Sequence, residues 1–301
     1  MAIAHYLKEI GRGKQGARPL SREQAADLFG QVLDGAVTEL EIGAFCLAMR
    51  IKGETPEEMA GFLDATYARL KRVPAPGKPV VVLPSYNGAR RLPVLTPLLA
   101  LLLARRGLPV LIHGTPTESS RVFVTEVLQV LGILALDTPR ALAPGEAASI
   151  ATEHLHPGLK RLLDARRVIG LRNSAHSLVK LMNPCEGPAV LVGSYTHPEY
   201  AVSMAAVWER MEATGLLLRG TEGEVVADAR RHPQMEGFVR GRRVLLEERQ
   251  PGTLAGLPGW PEGTDPAATA SYIRDVLEER QPLPASLSLQ VEHILRLAGH
   301  T

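Results

Sequence analysis

The sequence predicts an α/β protein in two parts, a small N-terminal helical domain and a larger α/β domain with a mainly parallel central sheet. Three observations predict it. Residues 20–72 carry apolar residues at helical spacing between cap and stop signals, and the Pro/Gly-rich stretch PAPGKP then interrupts the chain. Beyond it, short β-type runs alternate with helical stretches, the order expected of parallel strands joined by crossover helices. The boundary falls at residue 74, giving a helical domain of 1–74, joined by part of 157–185, and an α/β domain of 75–301.

In LSREQAADLFGQVLDG, Ser21 is placed to cap a helix, with Gln24 three residues on as in a capping box, and the pattern runs to Gly35. VTELEIGAFCLAMRIKG repeats the scheme with Thr38 as cap and Gly53 as stop. Thr55-Pro56 opens a third helix with acids in its first turn, where the helix dipole favours them. After the linker, VVVLP, LPVLTPLLALLLARRG, PVLIHG and TEVLQVLG read as strand, helix, strand, helix. PAVLVGSY and GLLLRG are further strands with SMAAVWERMEAT helical between them. Residues 251–268 read as loop, and LSLQVEHILRLAG as a closing helix.

Length and composition bound the function. With 301 residues and 45% hydrophobic content the chain can bury a full core. Its longest apolar stretch, Leu92 to Ala104, falls short of the roughly 20 residues a membrane span needs. No signal peptide is visible, so a cytoplasmic protein with no membrane partner is expected. Cys46 and Cys185 lie far apart, which predicts neither a disulfide nor zinc. The net charge of +2 conceals a division along the chain: Lys+Arg against Asp+Glu is 10 against 10 for residues 1–74, 13 against 6 for 75–182 and 11 against 16 for 183–301. The basic surplus lies in the middle third.

Three segments there could meet an anion. LPSYNGARR, residues 83–91, joins a strand to a helix, where Gly-containing turns bind phosphate. Arg90 and Arg91 begin or precede that helix, and positive charge opposing the dipole suggests a ligand role. Tyr86 either packs in the turn or supplies one stacking contact. In HGTPTESSR, Gly114 with Thr115, Thr117, Ser119 and Ser120 could line an anion site at a helix N-terminus, with Arg121 beside it. His113, at a strand end, is expected to make a structural hydrogen bond. The third segment, HLHPGLKRLLDARRVIGLRNSAHSLVKLMNP, packs Lys160, Arg161, Arg166, Arg167, Arg172 and Lys180 into 21 residues with Asp164 in opposition. Helical spacing puts Lys160, Leu163 and Arg167 on one side and Arg161 and Arg166 off it, so a subset forms a patch. Arg105-Arg106 close a helix and are structural; His154 and His156 are not a metal pair. Arg230, Arg231, Arg240, Arg242 and Arg243, with acids around them, read as a solvated loop.

The order of these segments resembles the anthranilate phosphoribosyltransferase family within the nucleoside phosphorylase-like phosphoribosyltransferase fold. It is carried by MRIKGETPEEMAG, the strand-loop-helix after the linker, the HG...SS loop, the HPGLK...RR..G.R stretch running into NP, and LVGSY, over most of residues 20–225. The resemblance implies that Ser85, Asn87, Gly88, His113, Gly114, Thr115, Ser119 and Ser120 are remnants of the loops that hold phosphoribosyl pyrophosphate. It also exposes departures. The Gly-Thr-Gly-Gly-Asp loop of the enzymes is PSYNGARR here, and their Lys-His-Gly-Asn-Arg is Ile112-His113-Gly114-Thr115-Pro116. Their metal-binding Asp-Glu dyad is replaced by Glu222-Gly223-Glu224, and an aromatic-plus-amide stretch by Ala175-His176 and Lys180.

Phosphoribosyl transfer depends on positioning and on electrostatic stabilisation of the departing pyrophosphate, so losing these groups together removes the activity. YNGARR, HGTPTESSR and RGTEGEVVADARR resemble the YbiB-type branch of the family, which implies a homodimer through the N-terminal helical domain and sequence-independent nucleic-acid binding. The expected partner is thus a DNA or RNA backbone, met by Arg90, Arg91, Arg121, Lys160, Arg166, Arg167, Arg172 and Lys180, with no catalytic residue, no metal and no cofactor. The alternative is an active phosphoribosyltransferase or phosphorylase with another acceptor, using phosphoribosyl pyrophosphate and Mg²⁺.

Overall fold

The computed structural model describes residues 3–299. The helices Arg22–Leu33, Glu39–Lys52 and Pro56–Tyr67 each open on a complete capping box: Ser21 with Gln24, Thr38 with Glu41, Thr55 with Glu58. In each, the cap hydroxyl takes the amide three residues on and that residue's side chain returns to the cap amide, so two free donors are satisfied at once. Their apolar faces meet around Phe29, Phe45 and Phe62, and the Phe29 and Phe62 rings stack at 4.6 Å.

Ten strands follow among the described residues: β1 (Val73–Pro74), β2 (Val80–Ser85), β3 (Val110–Gly114), β4 (Leu134–Leu136), β5 (Ala147–Ala151), β6 (Cys185–Glu186), β7 (Ala189–Tyr195), β8 (Gly215–Arg219), β9 (Met235–Val239) and β10 (Arg242–Glu247). Eight form one sheet in the order β10-β9-β8-β7-β2-β3-β5-β4. From β8 to β4 every pairing is parallel; β9 and β10 are antiparallel additions at one edge. Side chains alternate across a strand, and β2 divides accordingly. Val80 and Val82 join the core shared with the helical unit, while Val81 and Leu83 join the core under the helices Thr96–Arg105, Val124–Leu131, Pro266–Leu277 and Ala285–Leu297.

The helix Pro157–Ile169 returns to the N-terminal helices, where Arg161 Nη2 donates to the Val32 carbonyl at 3.0 Å. The chain then passes back at β6, which pairs parallel with β1, so the two crossing points are tied together. No helix among the described residues is long and apolar enough to cross a membrane.

Two sequence expectations are corrected here. Arg240, Arg242 and Arg243 do not lie in a solvated loop; they form the turn and first residues of the β9–β10 hairpin. Its turn residues Arg240 and Gly241 both have positive φ, 48° and 76°, the geometry of a tight two-residue connection. Arg90 and Arg91 precede the helix, one of the two placements expected, but it starts only at Thr96, so both sit in the loop before it and the helix-dipole penalty expected of them does not apply.

Candidate functional site

The C-terminal ends of β2 and β3 bring the first two anticipated loops together. Ala89 and Val122 exchange backbone hydrogen bonds of 2.7 and 3.1 Å, which tie the loop after β2 to the loop after β3. Close approach needs two glycines. A side chain at Gly114 would place Cβ 1.9 Å from the Ser85 carbonyl oxygen, and Gly88, at φ 67°, would place one 2.8 Å from that of Val122.

The loop's amides are occupied from within. Glu224, 2% exposed, accepts from the Asn87 and Gly88 amides on Oε1 at 2.9 and 2.8 Å. Its Oε2 accepts from Ser85 Oγ at 2.6 Å and Thr96 Oγ1 at 3.2 Å. Glu222 takes the next run: Arg90 N at 2.7 Å, Arg91 N at 3.1 and 3.2 Å, and Leu92 N at 3.3 Å. Donors aimed this way form an oxyanion site; here the oxyanions are the protein's own carboxylates. The Arg90 and Arg91 side chains are exposed and have no partner among the described residues.

In the second loop, Thr117 Oγ1 donates to the Tyr86 carbonyl at 2.9 Å, Thr115 is buried, and Ser119 and Ser120 are exposed. Ser119 and Ser120 do not lie at a helix N-terminus. The helix begins at Val124, and the Phe123 amide is taken by Glu126 at 2.8 Å. Tyr86 is 3% exposed and does not offer a stacking face; its hydroxyl lies 2.9 Å from His113 Nδ1 and 3.0 Å from Thr152 Oγ1.

Burial pushes His113 down to about 3, and burial aided by the charges of Arg172 and Arg166 does the same to His176. Both are depressed in the folded state, so the unfolded chain takes up protons first as pH falls below the ordinary value of 6.5. Their contribution is therefore complete above that pH and is lost progressively toward about 3. Each imidazole changes stability by at most about 1.4 kcal/mol per pH unit in that window. Urea melts of wild type and His113→Gln at pH 7 and pH 5 should show a shallower loss in the variant; equal losses would remove His113 as a cause.

The basic residues of the third segment divide. Arg166 Nη2 and Arg172 Nη2 reach Glu118 Oε1 at 2.7 and 3.2 Å, and Arg121 Nε reaches Glu118 Oε2 at 3.4 Å. Three guanidinium groups thus share one carboxylate. Glu118 sits below its ordinary pKa, its burial outweighed by the Arg166 hydrogen bond and the Arg121, Arg166 and Arg172 charges, while burial and neighbouring Arg166 lower Arg172. Arg121 also donates to the Asn87 and Gly88 carbonyls at 3.2 and 3.4 Å, joining this cluster to the first loop. Lys180 approaches from the other side, donating to the Gly223 carbonyl at 3.2 Å, and burial pulls it down to about 8 against the support of Glu224. Lys160 and Arg167 are not brought to the cluster. Lys160 pairs with Asp164, and Arg167, exposed, lies 3.6 Å from the same carboxylate. A cleft of about 330 Å³ opens beside Arg172 and Lys180, between them and Arg50, Glu54 and Tyr200.

Sequence reasoning did not anticipate Glu118 as the hub, although it stands inside HGTPTESSR, nor the seating of Glu222 and Glu224 in the loop. A magnesium pyrophosphate does not fit these residues as they stand, because the two glutamates that would offer oxygens are taken up by amide and hydroxyl donors of the loop and of Thr96. No group of three or more His, Cys, Asp or Glu side chains among the described residues is placed to hold a metal ion.

Comparison with known proteins adds relatives to this geometry. The model of the glycosyl transferase family helical bundle domain matches residues 4–69. The YbiB protein of Escherichia coli K12 is 40% identical, over 99% of this chain and 95% of that protein. The anthranilate phosphoribosyltransferase of Methylocella silvestris is 29% identical over 90% of this chain and 79% of the enzyme. Among solved structures, anthranilate phosphoribosyltransferase from Thermus thermophilus superposes with a TM-score of 0.75 at 23% identity, covering 98% of this chain and 89% of that one. The Saccharomyces cerevisiae enzyme in complex with phosphoribosyl pyrophosphate and Mg gives 0.72 at 15% identity, covering 99% and 89%. At these identities the two structures have the fold in common with this chain.

Proposed function

The chain belongs to the YbiB-type branch of the anthranilate phosphoribosyltransferase-like family, and from that premise we propose that it is a sequence-independent nucleic-acid-binding protein whose transferase machinery is lost. One observation carries the reading: a half-buried basic cluster in which Arg121, Arg166 and Arg172 share the single Glu118 carboxylate, tied by Arg121 to the backbone of the loop that bears the exposed Arg90 and Arg91. Unbalanced guanidinium groups beside each other attract phosphates, and backbone contacts of this kind carry no sequence information. The seating of Glu222 and Glu224 in the first loop supports the loss of transfer, since the amides that would cradle pyrophosphate are already bonded.

Fluorescence anisotropy of labelled single- and double-stranded oligonucleotides of unrelated sequence tests the reading. Affinity should be similar across sequences, and log K should fall against log salt by about 0.9 per phosphate contact on duplex DNA. Calorimetry with phosphoribosyl pyrophosphate and Mg²⁺ should show no binding; micromolar binding would favour an active transferase instead. Two buried free cysteines suit the reducing cytoplasm as its place of action.

The same reading includes a homodimer through the helical domain. On the helix Glu39–Lys52, Leu40 is 84% and Ile51 56% exposed, with Leu47 between them at 46%, spaced i, i+7, i+11 along one stripe. An apolar stripe of this kind facing water marks an interaction face. Leu47→Glu should convert a dimer to a monomer in sedimentation velocity while the fold persists; a wild type that sediments as a monomer removes this part of the reading.

A further inference from the structure

Two turns at the far end of the sheet each place a charged side chain where the backbone favours glycine or asparagine. The helix Pro198–Arg210 closes with the Ala213 amide on the Trp208 carbonyl at 3.0 Å and the Glu212 amide on that of Glu209 at 3.4 Å, the paired hydrogen bonds of a Schellman cap. Glu212 holds the left-handed position of that cap, φ 50°, where glycine is usual. Arg240 holds the first position of the β9–β10 turn, φ 48°, where asparagine, aspartate or glycine is usual. Such a conformation costs a residue with a side chain free energy, and breaches of a local rule of this kind gather at ligand sites.

The two turns touch. The Gly241 amide donates to the Ala213 carbonyl at 2.9 Å, and a side chain at Gly241 would place Cβ 3.2 Å from Glu212 Cα. Glu212 and Arg240 are exposed and opposite in sign, yet neither side chain is paired with the other or with any group among the described residues. Both line a cavity of about 440 Å³ at the N-terminal ends of β2 and β7, the end of the sheet away from the loops after β2 and β3. Its inner wall is apolar, with Leu181, Leu191 and Trp208 buried and Met211 half-buried. A volume of this order suits a small molecule.

We infer that this cavity binds a free α-amino acid with an apolar side chain, its carboxylate on Arg240, its ammonium on Glu212 and its side chain against the apolar wall. A simple anion would meet repulsion from Glu212 and a simple cation from Arg240. A zwitterion satisfies both charges, and the left-handed turns hold those charges at the rim, on either side of one opening. Tyr67 of the helical unit and Asn183 of the returning segment line the same cavity, and the Asn183 amide donates to the Tyr67 hydroxyl at 3.0 Å, so the site lies at the junction of the two units. The inference is independent of nucleic-acid binding and of the loops that bear the arginine cluster.

Calorimetric titration of the full chain with leucine, leucinamide and N-acetyl-leucine tests it, with phenylalanine as a larger apolar side chain. Leucine or phenylalanine should bind one per chain. Leucinamide, which lacks the carboxylate, and N-acetyl-leucine, which lacks the ammonium, should bind at least about tenfold more weakly, the equivalent of one charge-assisted hydrogen bond lost. Arg240→Asn and Glu212→Asn each remove a charge and supply a residue that tolerates the left-handed backbone. Both variants should keep or raise the melting temperature and lose at least about tenfold in amino-acid affinity, and Arg240→Asn should no longer prefer leucine to leucinamide. Absence of saturable binding of either amino acid to wild type at millimolar concentration would overturn the inference. So would equal affinity for the amide or the N-acetyl compound, or full affinity in both variants. A purely structural role for the two charges predicts variants of lower stability and no ligand, which would also sink it.

Discussion

Under the proposed function, replacing Arg90 and Arg91 together by glutamate should weaken nucleic-acid binding and flatten its salt dependence. Both side chains are exposed and free of internal partners, so each is available to a phosphate. The structure of their loop rests on their amides, which Glu222 holds, and the substitution should leave thermal stability nearly unchanged. Every phosphate no longer neutralised takes about 0.9 off the log-log slope on duplex DNA, so the pair accounts for a change on the order of two. Reversing the charges adds repulsion, so affinity at low salt falls further than the slope alone requires. Arg105 and Arg106 supply the control. At the far end of the helix Thr96–Arg105, Arg106 is paired with Glu292 at 2.5 Å and Arg105 with the Leu277 carbonyl. Glutamate at both of these positions makes the same change in net charge and should leave the slope close to wild type. An unchanged slope in the Arg90/Arg91 variant would take those residues out of the interface and leave the Glu118 cluster as its remaining candidate.

What the sequence makes legible follows the range of the interactions. Ser21 with Gln24, Thr38 with Glu41 and Thr55 with Glu58 act over three residues, so the helix starts can be read directly. The strands β2, β3, β7 and β8 announce themselves as apolar runs buried on both faces, as central parallel strands must be. β5 is the alanine-rich AASIA and β4 only three residues long, and neither has enough branched apolar character to be distinguished from a loop. β10 carries Arg242 and Arg243 at the sheet edge, where charge guards against further pairing; the same charges make it read as a solvated segment.

The site is legible in its donors and not in its acceptors. LPSYNGARR reads as a phosphate loop through its glycine and position, yet Glu222 and Glu224 reach it from more than a hundred residues away. The helical spacing that separates Arg166 from Lys160 and Arg167 is local and holds, with Asp164 taking the latter two. That Arg166 meets Arg121 and Arg172 on Glu118 depends on the loop after β3 reaching the helix Pro157–Ile169, which no spacing encodes.

Glu224→Ala should be the most destabilising single change in the site. The carboxylate satisfies four buried donors, Ser85 Oγ, Thr96 Oγ1 and the amides of Asn87 and Gly88. It also supports the charge of half-buried Lys180, which is already pulled down to about 8. Stranding a half-buried charge and several donors costs on the order of 3–5 kcal/mol. For a chain of this size that corresponds to a fall of roughly 10 °C in melting temperature. Urea and thermal unfolding measure it, and a loss below about 1 kcal/mol would show that water replaces the carboxylate without penalty. Lys180→Met in the same background separates the two causes. If the stranded ammonium contributes, the double variant recovers part of the loss, because removing both members of a buried pair is less costly than removing one. If the four donors alone account for it, the double variant is no more stable than Glu224→Ala, and Lys180 is then held by the Gly223 carbonyl rather than by the charge of Glu224.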